Sequence, residues 1–139
     1  MAPLEDSSLK QIGVVRSTLT DRKNAPRQGR LGAPNAVVEI DPSFADALFG
    51  VSVGDAIILI TWLHHGRREV LQVRPGHDPS NPIRGVFATR SPDRPNPIGL
   101  HRVEVLSVDG TRLGVGPLEA IDGTPVIDIK PVLTNCADS

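Results

Sequence analysis

Residues 100–115 read LHRVEVLSVDGTRLGV and predict two strands joined by a tight turn. Valine and leucine dominate residues 100–108, and runs of this kind favour a β-strand. Asp109-Gly110 follows, a dipeptide typical of the two-residue type I′ hairpin turn, in which both central residues have positive φ. Residues 111–115 predict the returning strand. The stretch therefore indicates an antiparallel β fold.

Six other segments carry strand signals. The most apolar of them is DAIILITWL at 55–63, which predicts a central strand buried on both faces. EVLQVR at 69–74 alternates with a period of two. The full set is 12–15, 36–40, 55–63, 69–74, 85–88 and 126–129. Many short strands separated by glycine and proline favour a barrel or a sandwich.

One short helix is predicted over residues 41–50, DPSFADALFG. Asp41 suits the N-cap, Pro42 the first helical position and Gly50 the C-terminal end. The predicted buried face consists of Phe44, Leu48 and Phe49. Residues 16–35 are polar and predict a long surface loop, a feature that is uncommon unless it is functional or disordered.

Length and composition limit the class of protein. The 139 residues suffice for one domain. A hydrophobic content of 39% and a net charge of −1 argue against a disordered chain and against a globally basic nucleic-acid binder. The single cysteine, Cys136, cannot form an internal disulfide, and no uncharged apolar run approaches the length of a membrane span. We therefore expect a soluble cytoplasmic protein.

Basic residues concentrate in the middle of the chain. Residues 64–102 contain seven of the 15 lysines and arginines, three of the 16 acidic residues and all four histidines. This segment predicts a contact with an anionic ligand. A solvated basic surface explains the charge alone equally well.

A familiar type of nucleotide site is excluded. The glycine cluster GVGPLE at 114–119 lacks the last glycine of a dinucleotide-binding turn and has a proline where the helix should begin. The sequence therefore predicts neither a Rossmann site nor a phosphate-binding loop of that kind.

Four stretches contain residues suited to binding or catalysis: APRQ at 25–28, WLHH at 62–65, GVFATRSPDRPNPIG at 85–99 and DGTPVIDIKP at 122–131. Each also has a plain structural interpretation. Adjacent histidines on a strand point to opposite faces, so His64 and His65 are unsuited to ligating one metal. Residues 122–123 form an ordinary turn pair, and residues 90–99 a stiff polyproline-type connector.

Charged side chains in these stretches have structural alternatives as well. Asp128 and Lys130 are two residues apart on a strand, so they can form an ion pair on one face. Arg90 or Arg94 can pin a loop through a carboxylate. Taken one at a time, the stretches favour the structural interpretation.

Taken together, two of the stretches resemble a known family. GVFATRSPDRPNPIG at 85–99, followed by LEAIDGTPVIDIKP at 118–131, is similar to the motifs of the TsaA-like family of TrmO-type tRNA N6-methyladenosine methyltransferases. IGVVRS at 12–17 extends the resemblance over most of the chain. It implies a small single-sheeted antiparallel or mixed β-barrel with one short helix, acting as a homodimer. We expect one domain over 1–133 and a loose tail at 134–139, without the second C-terminal domain that bacterial relatives often carry.

Members of that family methylate N6 of threonylcarbamoyladenosine beside the tRNA anticodon, with S-adenosylmethionine as the methyl donor. The resemblance implies the same cofactor and a tRNA partner here, without a metal or a membrane. The cofactor-binding residues that it implies are Pro26, Arg27, Gln28, His64, His65, Arg90, Leu100, Asp122, Gly123, Thr124 and Pro125.

The chemistry of this cofactor suggests roles for several residues. Arg90 or Arg27 would take its carboxylate in a forked contact, and Asp122 would hold the ammonium or a ribose hydroxyl. Backbone groups around Leu100 would meet the adenine edge. An exocyclic amine loses a proton when it accepts a methyl group, and Asp128 is the candidate acceptor or orienting group.

Two other functions stay open at this point. The first keeps the fold and the cofactor but methylates another RNA or a small molecule. The second is a non-enzymatic module that senses S-adenosylmethionine or another anionic ligand and acts through protein contacts.

Overall fold

The computed structural model describes residues 1–4, 7–26 and 32–133. Six of its strands close into a barrel and two short strands form a separate ribbon. The barrel strands are β1 Gly13–Arg16, β2 Ala36–Ile40, β3 Ala56–Trp62, β6 Ile98–Asp109, β7 Arg112–Gly116 and β8 Pro125–Pro131. The ribbon strands are β4 Gln72–Val73 and β5 Arg84–Gly85. The prediction of a mainly β, single-sheeted barrel is confirmed.

The barrel strands follow the order β1-β2-β7-β6-β3-β8, and every neighbouring pair is antiparallel. β3 pairs with β6 along its whole length, with Ala56 opposite Glu104 and Trp62 opposite Ile98. A short pairing of β1 with β8 closes the barrel. Closure pairs both sides of each strand, which removes the exposed edges of an open sheet.

The inward-facing side chains form an apolar core. Along β3 the buried residues are Ile57, Leu59 and Thr61, and full burial of one Leu or Ile contributes about 1.5–3 kcal/mol. Other elements add Val15, Val38, Ile40, Val103, Val105, Leu113, Val115, Leu118 and Val126. The prediction that residues 55–63 are buried on both faces is wrong. Ile58 and Ile60 are only partly buried, because a barrel wall has one inner and one outer face.

The hairpin between β6 and β7 is present, but its turn lies one residue later than predicted. Asp109 pairs with Arg112, so the two loop residues are Gly110 and Thr111. Gly110 has a φ of +59°, whereas Thr111 keeps an ordinary negative φ. Positive φ at the first loop position alone is the type II′ arrangement, which glycine adopts without strain.

Two predicted strands are largely irregular. Within 69–74 only Gln72–Val73 form a strand, and 85–88 leaves β5 at once to form the 3-10 helix Val86–Ala88. The alternation at 69–74 belongs to a two-stranded ribbon outside the barrel, where Leu71 is 67% exposed. A period-two alternation in the sequence therefore does not by itself show that one face of a strand packs against the core.

The predicted helix at 41–50 is present as the 3-10 helix Pro42–Leu48. Asp41 caps it by accepting a hydrogen bond from the Ser43 N–H, and Phe44 and Leu48 pack against the core. The burial predicted for Phe49 is wrong, because this residue follows the last helical position, where the backbone turns away, and is 98% exposed. Over the ranges that the structure describes, no helix has the length and apolar character needed to span a bilayer.

Candidate active site

Loops from several parts of the chain meet at one end of the barrel and line an open cleft, which continues along residues 98–104 of β6. The contributing loops are 20–26 after β1, 63–67 after β3, 90–94 before β6 and 116–124 after β7. Six predicted site residues from separate parts of the chain line this cleft: Pro26, His64, His65, Arg90, Leu100 and Thr124.

The proline-rich loop is held by one of its own arginines. The Arg94 guanidinium donates hydrogen bonds to the backbone carbonyls of Ser91 at 2.7 Å, Val86 at 2.5 Å and Thr89. Hydrogen bonds from a charged donor are about twice as strong as neutral ones. Arg94 therefore pins the loop, whereas Arg90 is exposed at the cleft.

Asp93 joins the proline-rich loop to two other loops. Its carboxylate accepts hydrogen bonds from the Arg67 backbone N–H at 2.9 Å and from the Arg22 guanidinium at 3.2 Å. Arg22 also donates to the His65 carbonyl at 2.8 Å. Burial disfavours the charged form of Asp93, but the hydrogen bonds from Arg67 and Arg22 outweigh it and hold its pKa below the ordinary 3.8. Asp93 is therefore ionised at neutral pH and crosslinks the three loops.

A further arginine holds the C-terminal part of the same loop. Arg68 donates to the Pro95 carbonyl at 2.7 Å and to Asn96 Oδ1 at 3.0 Å. Its guanidinium also lies 5.2 Å from the centre of the Trp62 ring, within the range of a cation–π interaction. The loop is therefore attached to the end of β3 as well.

Loops 63–67 and 92–97 lie in direct backbone contact. The Leu63 N–H donates to the Pro97 carbonyl at 2.7 Å. A Cβ atom on Gly66 would lie 2.8 Å from Pro97 Cβ and closer still to the Pro92 carbonyl oxygen. Only glycine allows the two loops to approach this closely.

The two histidines lie just beyond the end of β3. Their ring centroids are 4.1 Å apart and the rings are tilted by 49°. The premise that His64 and His65 point to opposite faces is wrong, because β3 ends at Trp62 and both histidines lie in a turn. Burial, and then the neighbouring His65, lower the pKa of His64 below its ordinary 6.5. His64 is therefore neutral at pH 7.

A buried polar group lies inside the barrel next to the cleft. His101 is 5% exposed, with Nε2 2.7 Å from Thr61 Oγ1 and Nδ1 2.5 Å from Glu119 Oε1. An ionised carboxylate only accepts hydrogen bonds, so Nδ1 carries a proton. Gly99 pairs with Thr61, and a Cβ atom on Gly99 would lie 2.6 Å from His101 Nε2. Gly99 therefore makes room for the contact between Thr61 and His101.

The predicted DGTP turn attaches β1 to the start of β8. Asp122 Oδ1 accepts from the Ser17 N–H at 3.0 Å, and the Gly123 N–H donates to the Val15 carbonyl at 2.8 Å. Gly123 has a φ of +83°, which favours glycine. Thr124 is buried and its hydroxyl donates to a backbone carbonyl at 2.7 Å. One Asp122 oxygen and the Thr124 hydroxyl proton therefore have structural partners.

Asp128 lies on the outer face of β8. It forms an ion pair with Lys130 at 3.1 Å, and its side chain is 46% exposed. Ile60 lies between Asp128 and Leu100 in a row across three strands. Neighbouring strands are about 4.8 Å apart, so Asp128 is about 10 Å from Leu100 at the cleft.

The remaining predicted site residues fall into two groups. Arg27 and Gln28, like the tail at 134–139, lie outside the residues that the structure describes. Four residues do not line the cleft: Asp122, Gly123, Pro125 and Asp128. Among the described residues, no group of three or more His, Cys, Asp or Glu side chains is arranged to hold a metal ion.

Sequence reasoning missed residues whose partners are distant in the chain: Arg22, Thr61, His101 and Glu119. One signal was present. The inward positions of β6 are Gly99, His101, Val103 and Val105, so His101 interrupts an otherwise apolar or small series. A polar residue on a core face needs a partner, and this alone marks His101.

The chain matches the family model of the tRNA-methyltransferase O N-terminal domain, TrmO_N, over residues 14–138. A probable S-adenosyl-L-methionine-binding protein of Methanothermobacter thermautotrophicus is 45% identical, and the match covers 88% of each chain. An S-adenosyl-L-methionine-binding protein of Archaeoglobus fulgidus is 46% identical over 88% of this chain and 86% of the relative. A longer probable S-adenosyl-L-methionine-binding protein of A. fulgidus is 47% identical, and the match covers 33% of its length.

Solved structures share the fold. The crystal structure of TrmO from Pseudomonas aeruginosa superposes with a TM-score of 0.76 at 31% identity, covering 99% of this chain and 62% of that one. Another TrmO crystal structure gives a TM-score of 0.75 at 33% identity and is covered to the same 62%. The chain thus spans less than two thirds of these TrmO chains. Because the family model matches nearly the whole sequence, the chain belongs to the TrmO_N family of tRNA-methyltransferase O N-terminal domains.

Proposed function

We propose that the chain binds S-adenosylmethionine and transfers its methyl group to N6 of threonylcarbamoyladenosine in tRNA. The observation that carries this proposal is the meeting of Pro26, His64, Arg90, Leu100 and Thr124 in one cleft. These residues are up to about a hundred positions apart in the sequence, so their proximity results from the tertiary fold and not from local structure. The names of the relatives and the family support the same cofactor and reaction class.

The residues present fit this cofactor, which would supply an electrophilic methyl group on a sulfonium when bound. Arg90 is exposed at the cleft and suits the cofactor carboxylate in a forked contact. Leu100 is half exposed and offers an apolar surface to the adenine. The neutral imidazole of His64 adds no positive charge beside a cationic sulfur. The loops crosslinked by Asp93 would hold these groups in place for an in-line displacement.

The basic middle segment supports a tRNA substrate. Arg84, Arg90 and Arg102 are exposed, and cations of this kind bind a phosphate backbone. A tRNA substrate also favours a cytoplasmic location. Steep salt dependence of tRNA binding would support this proposal, and salt-independent binding would favour a small acceptor instead.

A homodimer is part of the proposal. The outer face of β6 exposes apolar side chains, with Ile98 at 44%, Leu100 at 48% and Leu106 at 42%. Since Leu100 also lines the cleft, a partner chain on this face would cover part of the cofactor site. Sedimentation of the purified chain as a monomer at working concentration would contradict this part of the proposal.

Asp128 remains the proposed proton acceptor or orienting group for the exocyclic amine. This role is supported by its position in one row with Ile60 and Leu100, on the outer face of the barrel. Lys130 competes with this role because it neutralises the carboxylate. Asp128→Asn should lower the turnover number while cofactor affinity stays the same, and unchanged turnover would remove Asp128 from the mechanism.

One alternative is favoured by the names of the relatives, which describe binding rather than catalysis. A binding module would retain the cleft and the cofactor but would not methylate RNA. The decisive experiment incubates the protein with labelled S-adenosylmethionine and tRNA that lacks native methylation, and then analyses the adenosine beside the anticodon by mass spectrometry. Cofactor binding without incorporation would favour the module over the enzyme.

A further inference from the structure

Glu119 differs from Asp93 and Asp128 in the kind of partner it has. Asp93 is bound to the guanidinium of Arg22, and Asp128 is paired with the ammonium of Lys130. Glu119, in contrast, is held by the imidazole of His101. Its side chain is 16% exposed and lines the cleft.

The partner of Glu119 is itself fixed in place. His101 Nδ1–H donates to Glu119 Oε1, and the other ring nitrogen, Nε2, is hydrogen-bonded to the Thr61 hydroxyl at 2.7 Å. Thr61 and His101 lie on the neighbouring strands β3 and β6, whose register is set by the barrel. The barrel thus determines where the Glu119 carboxylate points.

Asp122, the carboxylate that was predicted to bind the cofactor, is less available for this contact than Glu119. Asp122 uses one oxygen to hold the Ser17 N–H, and it does not line the cleft. A bound zwitterion needs an anionic group for its ammonium as well as a cation such as Arg90 for its carboxylate. An ammonium has three N–H donors, whereas a sulfonium has none, so an oriented carboxylate suits the ammonium better.

We propose that Glu119 binds the ammonium group at the amino-acid end of S-adenosylmethionine, and that His101 is its positioning residue. The inference rests on the proposed cofactor. Low exposure strengthens such a contact because solvent screens it less than it screens a surface ion pair. The Gly99 of the proline-rich motif then serves the cofactor indirectly, since it makes room for Thr61 and His101.

The test compares three ligands by isothermal titration calorimetry: S-adenosylmethionine, S-adenosylhomocysteine and 5′-methylthioadenosine. The first two carry the ammonium, only the first carries the sulfonium, and the third carries neither. Loss of a charge-assisted hydrogen bond corresponds to a change in affinity of about 10- to 100-fold. Glu119→Gln should weaken the binding of the first two ligands by this factor. The affinity for 5′-methylthioadenosine should stay within about twofold of the wild-type value.

His101→Gln should weaken the same two ligands, but less than Glu119→Gln, since the carboxylate is kept and only its orientation is lost. Glu39→Gln is the matched control, because Glu39 lies on β2, paired with Arg16 and Arg112 and apart from the cleft. It should leave all three affinities unchanged. Near-ultraviolet circular dichroism checks that each variant is folded, and Glu119→Asp, which keeps the charge, replaces Glu119→Gln if that variant unfolds; it should weaken the same two ligands about tenfold.

Three results would overturn the inference. If only S-adenosylmethionine binding were lost, the Glu119 carboxylate would act on the sulfonium and not on the ammonium. If the binding of all three ligands were weakened equally, the substitution would have disturbed the whole cleft. Unchanged binding with a lowered turnover number would make Glu119 a proton acceptor instead. Failure of the wild-type protein to bind S-adenosylmethionine would overturn the proposed function itself, and so is distinguishable from all three.

Discussion

The barrel and the loops at its cleft end are stabilised by different forces. Inside the barrel, Leu59, Val105 and Leu113 are fully buried, and apolar packing holds the strands together. In the loops, Asp93 and Arg94 bind backbone groups of neighbouring segments, and prolines restrict the chain further. The barrel should therefore determine the stability of the protein, whereas the polar contacts of the loops should determine the shape of the cleft.

The largest effect is expected in the barrel. Leu59→Ala removes a fully buried side chain from β3 and should lower the free energy of unfolding by about 2–5 kcal/mol. Urea denaturation measures this change. Leu106→Ala is the matched control, because Leu106 is 42% exposed on β6 and its loss should cost much less. Similar losses from both variants would contradict the view that interior packing dominates stability.

A smaller loss of stability and a larger loss of function are expected for Arg94→Lys. Lysine has no planar fork, so it cannot bind the carbonyls of Ser91, Val86 and Thr89 together. The free energy of unfolding should fall by about 1–3 kcal/mol. Because the site geometry loosens, methyl transfer should fall by about 10- to 100-fold.

Arg112→Lys controls for the arginine-to-lysine change, since Arg112 is exposed on β7 and does not line the cleft. Methyl transfer by this variant should change little. The contrast between barrel and loops would be broken if Arg94→Lys destabilised the protein as much as Leu59→Ala did while leaving activity intact.

Local signals in the sequence predicted the barrel well. The strand at 36–40 has the predicted bounds, because buried apolar residues there alternate with residues that face outward. The strand predicted at 85–88 failed because the Val86 carbonyl accepts a hydrogen bond from Arg94, eight residues later in the chain. Local propensity carries no information on such a contact. The displaced turn at Gly110 has a similar cause, since the pairing of Asp109 with Arg112 set its position.

The residues of the candidate site were predicted for a different reason. Motif residues such as Arg90 and Leu100 were found through a resemblance, and the cleft brings them together with His64. The contacts that hold them, such as Arg22 with Asp93, join residues about 70 positions apart. Those contacts depend on the closed barrel and could not be derived from spacing. The alternation along β6 does identify His101 as a polar residue at an inward position, and Glu119 is its partner.

Acid should affect the loops in two separate pH ranges. The folded-state pKa of His64 lies below 6.5, so the unfolded chain gains a proton first as the pH falls through about 6.5, and stability is lost there. Asp93 has its pKa lowered from 3.8, so its contribution is present above that value and is lost below it. Urea denaturation over this pH range should show both losses.

His64→Gln should remove part of the loss that begins near pH 6.5, and Asp93→Asn should reduce the loss below pH 3.8. His77→Gln serves as control, because His77 is exposed in the ribbon region. An unchanged profile for His64→Gln between about pH 5 and pH 7 would show that burial of His64 does not influence stability.

The smallest effect is expected at the ion pair between Asp128 and Lys130 on the outer face. Both side chains are about half exposed, and pairs of this kind contribute about 0–1 kcal/mol. Lys130→Gln should therefore leave the free energy of unfolding nearly unchanged. If Asp128 accepts the proton of the amine, removal of its cationic partner should leave the carboxylate free for this role and raise the turnover number. A measurable loss of stability with an unchanged turnover number would instead make the pair a structural part of the barrel wall, so that stability would depend on the outer surface of the barrel as well as on its interior.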